Sequence, residues 1–146
     1  LLLRPAIWQA ENCDGRRDGV SNYKPFGNDT VVLNDLKHNA WFVLRQVDLS
    51  GVKSISLQVA FGDKAFPQVG GKLELRVGSK EGSIIAESGF EVKNGEKMVF
   101  ETREIALAQH EQSVSGAPFP DLYFVFKNEQ HPAQGIICLD WLRFNF

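Results

Sequence analysis

The chain lacks nearly every feature that would commit it to catalysis, to nucleic acid or to a bilayer. It has two cysteines, one methionine and three histidines in 146 residues. Cys13 and Cys138 stand near opposite ends, and neither sits in a C-x-x-C pair, which argues against a zinc ribbon or a thioredoxin-like redox motif. No basic run is longer than Arg16-Arg17 and the formal net charge is −2, so neither nucleic acid nor an anionic membrane is implied as a partner. No apolar segment approaches the roughly 20 residues that cross a bilayer. Leu1-Leu2-Leu3 is too short for the apolar core of a signal peptide, and a chain that opens on Leu reads as a mature fragment cut from a longer chain. There is no G-x-S-x-G elbow, phosphate-binding loop, H-E-x-x-H pair or dinucleotide fingerprint. His38, His110 and His131 all fall in predicted loops or at a strand end, where a solvated side chain is the plain reading and a hydrolytic triad the special one. The expectation is that the chain is not an enzyme.

What is present is the composition of one globular domain: 43% hydrophobic and 23% charged residues, enough for a sizeable core. Short runs of alternating character dominate. Residues 54–61 put Ile55, Leu57, Val59 and Phe61 on one face and Ser54, Ser56, Gln58 and Ala60 on the other. Residues 72–77 alternate Lys72, Glu74 and Arg76 against Leu73, Leu75 and Val77, the pattern of a strand with one face to the core and one to water. Runs 7–13, 30–34, 41–49, 83–87, 97–105, 122–127 and 136–146 also read as strands, rich in β-branched and aromatic residues and punctuated by glycine. The stretch 101–112 has a helical composition, so its first half is read as strand and a helical turn is allowed after Ile105. About nine antiparallel strands with frequent turns predict an all-β fold, a jelly-roll β-sandwich spanning 1–146 as a single domain.

Two acids are embedded in apolar strand-like runs at the ends, Glu11 after Ile7-Trp8-Gln9-Ala10 and Asp140 within Cys138-Leu139-Asp140-Trp141-Leu142. Brought together they would form a hard oxygen cluster of the kind calcium prefers. By spacing alone, rim acids paired with Arg or Lys are the plainer reading.

The ordered set Gln9-Ala10-Glu11-Asn12, Trp41, Val47-Asp48-Leu49-Ser50-Gly51, Leu122-Tyr123-Phe124-Val125-Phe126-Lys127 and Leu139-Asp140-Trp141-Leu142-Arg143-Phe144 resembles the family 6 carbohydrate-binding modules. The resemblance runs in order from about residue 7 to residue 146. It implies a jelly-roll sandwich of the galactose-binding type, non-catalytic, extracellular or periplasmic, bacterial in its usual setting. It implies an attached catalytic domain in the full-length protein and a glycan ligand from a plant or microbial polysaccharide. It also implies a structural calcium held by Gln9, Glu11 and Asp140, although Gln9 stands where an acid is common.

A sugar site needs an aromatic face for the C–H side of a pyranose and polar groups for its hydroxyls. The resemblance places one cleft in the end loops and allows a second site on the concave face. The candidates are Asp18 as the loop acid, Tyr23, Phe26 and Phe66 as loop aromatics, Trp41 beside a loop, and Lys97 where the family usually carries an aromatic. For Tyr23, Phe26 and Phe66 the competing reading is an aromatic folded back over the core. Trp8, Trp41 and Trp141 lie within strands, where a core role is the plainer reading, and Trp41 is nearest a loop. The family's Asn before the last-strand Asp is Cys138 here. Two functions stand side by side: a calcium-stabilised glycan-binding module, and a structural or docking domain of the same fold whose sugar cleft has been lost. If Glu11 faced Asp140 across paired end strands, Cys13 would face Cys138 in the same register, as packed thiols or as a disulfide.

Overall fold

The computed structural model describes residues 7–25, 30–107 and 119–146. Eleven strands occur among them: β1 (Ile7–Gln9), β2 (Gly15–Arg16), β3 (Ser21–Tyr23), β4 (Val32–Asn34), β5 (Trp41–Leu44), β6 (Ser54–Phe61), β7 (Gly71–Val77), β8 (Ser83–Phe90), β9 (Val99–Ala106), β10 (Leu122–Lys127) and β11 (Cys138–Asn145). They form two antiparallel sheets. The first runs β3-β4-β11-β6-β9, with β1 also on β11, and the second runs β2-β5-β10-β7-β8. The expected all-β sandwich is what the chain forms. The count rises above nine because short strands β2 and β3 occupy what reads as one long first loop. The strand expected over 7–13 breaks at Gln9 into a 3-10 turn, Ala10–Asn12. The strand half of 101–112 is observed, and the helical turn allowed after Ile105 falls largely outside the described residues.

Alternation decides what each sheet buries. Ile55, Leu57, Val59 and Phe61 of β6 face Phe42 and Leu44 of β5 and Phe124 and Phe126 of β10 in one core between the sheets. Phe42 and Phe124 stack almost parallel at 4.5 Å between centroids, which ties β5 to β10 by side chains as well as by the ladder.

Strand β11 departs from alternation once. Its register against β6 slips between Leu139, opposite Val59, and Trp141, opposite Gln58, leaving Asp140 as the extra residue of a β-bulge. Leu139 and Leu142, three apart in sequence, therefore both point into the core. Cys138 and Trp141 turn to the outer face.

Candidate functional site

At one end of the sandwich, loop 62–70 and loop 91–98 are fastened together. Asn94 accepts from the Gln68 N–H at 2.9 Å and donates its amide to the Gln68 carbonyl at 2.6 Å. Within the first loop, Asp63 Oδ1 accepts from the N–H groups of Ala65 and Phe66, both at 2.9 Å, a side-chain turn that presents Phe66 outward. Phe66 is 60% exposed. Its ring meets that of Tyr23, at the end of β3, with centroids 6.1 Å apart and planes tilted by 49°. Two aromatics expected at the site, from segments far apart in sequence, are thus brought together. Beneath Tyr23 lies a small apolar floor on the outer face of the first sheet: Val32, Ala60 and Cys138 are buried, with Met98 and Phe100 packed against them. Neither Met98 nor Phe100 was anticipated, although the run Met98-Val99-Phe100 alternates as a strand should.

The polar side of this pocket is Asn34-Asp35, also missed from sequence. Asp35 adopts φ +57°, a left-handed conformation that Asp tolerates, and accepts from the Ser21 hydroxyl at 2.7 Å. Cys138 donates weakly to Asn34 Oδ1 at 3.6 Å, so its one donor is taken by a neighbouring side chain. Burial, then the charge of Asp35, push the thiol up to about 12, and it stays protonated and inert at neutral pH. Lys97 is exposed on loop 91–98. Asp18 is exposed in the turn between β2 and β3, whose backbone is tied to β5 through the Arg17 N–H and the Trp41 carbonyl at 2.9 Å, so it belongs with Trp41 rather than with Tyr23. Phe26 lies outside the described residues.

The outer face of the second sheet holds a groove of about 880 Å³ between β7 and the loop 128–131. Trp41 is half-buried on this face, not in the core, and packs on Tyr123 at 5.5 Å with planes tilted by 55°. Trp141 is likewise outside the main core, on the first sheet, with the Arg143 guanidinium 6.0 Å from its ring; of the three tryptophans only Trp8 packs against the core. The row Lys72, Glu74, Arg76 does face outward as its alternation predicts, yet Glu74 is only 5% exposed. Its Oε1 takes two bonds from Arg76, at 2.9 and 3.2 Å, and its Oε2 is paired with Lys72 at 3.2 Å. Burial raises the Glu74 carboxyl, but the two cations together outweigh it and leave the pKa below the ordinary value.

Glu11 and Asp140 are brought within electrostatic reach of each other, though by another route than paired strands. In the observed register Gln9 faces Trp141, which would set residue 10, not 11, against Asp140. Instead Glu11 sits in the 3-10 turn and Asp140 on the bulge. Burial and the nearby charge of Glu11 raise the Asp140 carboxyl, and Glu11 Oε2 is buried with no hydrogen-bond partner. Two like charges that feel each other, one with a buried oxygen lacking a partner, suit a hard cation better than they suit each other. Among the described residues no third acid, His or Cys joins them, so further ligands would be amide or carbonyl oxygens; Gln9 is exposed on the adjoining strand. The cysteines do not pair. Both thiols are free, and Cys13 packs against the main core while Cys138 lies on the outer side of the first sheet, so a sheet separates them.

No protein-family model matches the chain, and no curated protein does. Solved structures do. A β-1,3-glucan-binding family 6 carbohydrate-binding module from Bacillus halodurans superposes with a TM-score of 0.73 at 19% identity, covering 96% of this chain and 95% of that one. A family 6 module from Clostridium cellulolyticum, solved with xylose, gives 0.71 at 19% identity and 96% of both chains. A Bacillus subtilis family 43 arabinoxylan arabinofuranohydrolase, solved with cellotetraose, gives 0.70 at 20% identity, with 95% of this chain matching only 26% of that one. The chain has the two-sheet fold of the family 6 carbohydrate-binding modules.

Proposed function

We propose that the chain is a non-catalytic carbohydrate-binding module that holds an attached catalytic domain to a plant or microbial polysaccharide outside the cytoplasm. The observation that carries this is the Tyr23–Phe66 pair, one ring largely open to solvent above an apolar floor, with Asp35 and Asn34 beside it. Such a pair offers a flat face to a pyranose and polar oxygens to its hydroxyls. That Cys138, where the family carries Asn, gives its donor to Asn34 removes one sugar contact and makes the affinity at this site modest. The Trp41–Tyr123 pair beside the groove supports a second sugar surface on the other sheet. Glu11 and Asp140, with Gln9 and neighbouring carbonyls, would hold calcium, whose role is to neutralise the two carboxylates and pin β1 to β11.

Isothermal titration against soluble β-glucans, xylans and mannans in the presence of calcium tests the reading. Binding is expected for at least one class, weakened about tenfold by Tyr23→Ala or Phe66→Ala. Silence across the panel would favour a docking domain of the same fold.

A further inference from the structure

The groove on the second sheet carries an unusual arrangement of charge. Its one buried acid, Glu74, is spent internally, with both oxygens committed to Arg76 and Lys72. Lys72 leans further to Glu87, at 3.5 Å. Toward Trp41 the balance changes. Lys127 lies directly opposite Lys72 in the β10–β7 ladder, a like-charge pairing that costs stability. Among the described residues its ammonium bonds only to a neutral amide oxygen, Asn39 Oδ1, at 2.6 Å. Arg17, whose main chain is bonded to Trp41, is exposed, and among the described residues it gives its guanidinium only to the His38 carbonyl at 3.4 Å. Two cations without carboxylate partners among the described residues thus flank one aromatic ring, on a chain whose net charge is −2. Two exposed acids border this end, Asp18 next to Arg17 in the turn between β2 and β3 and Glu129 on the loop beyond Lys127, and neither forms an ion pair with Arg17 or Lys127 among the described residues.

We infer that this surface takes an acidic glycan. A sugar ring would lie beside Trp41, and its anionic group, a uronate or a sulfate ester, would be met by Arg17 and Lys127 and would relieve the Lys72–Lys127 opposition. The inference rests on the glycan-binding reading and names the ligand class at its second surface.

The intact chain is titrated with neutral xylan oligosaccharides, their glucuronate-substituted counterparts, oligogalacturonates and a sulfated galactan, each at low and high salt. An acidic ligand is expected to bind at least about tenfold more tightly than the neutral xylan at low salt, and to lose that advantage at high salt. The double variant Arg17→Gln, Lys127→Gln, two surface changes, is expected to abolish the preference. Uptake of the uronates alone identifies the carboxylate as the anion, and uptake of the galactan alone identifies the sulfate. Equal binding of neutral and acidic xylans, or a preference that survives the double variant, overturns the inference and leaves glycan binding standing. Absence of binding to every ligand here overturns the inference, and silence also across the β-glucans and mannans overturns both.

Discussion

Cys138 shows how one residue can be legible in kind and misread in role. Its apolar neighbours mark it as strand, and it is one; that its side chain lies apart from Cys13 follows from the 3-10 turn that carries Cys13 off β1, which no alternation pattern announces. Burial raises both thiols, Cys138 to about 12. Native protein is expected to react slowly with a thiol reagent at neutral pH, Cys13 ahead of the fully buried Cys138, and to release two thiols on unfolding without reductant. A count below two would show a disulfide. Asp140 is the other informative residue. Its raised pKa means that the folded chain holds more protons than the unfolded one between the ordinary and the raised value. Calcium-free protein therefore gains stability as pH falls through that window and loses it as pH rises. Asp140→Asn is expected to raise the melting temperature without calcium and to abolish the stabilisation that calcium gives the wild type. An unchanged calcium response would remove Asp140 from the site.

Elements carry the site more than single residues do. Loop 62–70 presents Phe66 because the chain turns tightly at Gly62: a Cβ there would lie 1.6 Å from the Phe66 carbonyl oxygen. Gly62→Ala must open the loop, and it is expected to weaken glycan binding as much as Phe66→Ala while leaving the sheets intact by circular dichroism. The sequence supplied both Phe66 and Tyr23 but not their contact, because it depends on how a loop between β6 and β7 folds over β3, and loop geometry has no period to read. The row Lys72, Glu74, Arg76 makes the complementary point. Its outward direction was legible from spacing, whereas its near-burial depends on how those three side chains pair on the sheet. Glu74 contributes stability above the unfolded carboxyl pKa, about 4.3, and loses it as pH falls through its lower folded value. Glu74→Gln is expected to cost about 1–3 kcal/mol at neutral pH and to flatten the acid limb of the stability curve. Chemical denaturation at several pH values measures both effects.

For the whole molecule, two sheets joined by one continuous apolar layer should unfold together. Phe124 is fully buried and stacked on Phe42 between them. Phe124→Ala is expected to cost about 3–5 kcal/mol and to lower the melting temperature by on the order of 10 °C, still in one calorimetric transition. A separate early transition would show that the sheets are independent. At this scale the sequence was most readable, since alternation in β6, β7 and β10 settles which side chains meet in the core. What it left out were short strands such as β2 and β3, too brief to show a period, and the faces of Trp41 and Trp141, each adjacent to a core residue and so turned outward.

The bulge at Asp140 bears on how such a site can come and go. Within a regular strand, gaining or losing one residue exchanges the two faces for everything that follows. Here the extra residue is absorbed: with Asp140 removed, Leu139, Trp141 and Leu142 would still read inward, outward, inward against Val59, Gln58 and Leu57. The carboxylate is thus an appendix to the ladder, not one of its rungs. A homologue one residue shorter at this point could discard the proposed ion site and keep every other side chain of the strand where it is.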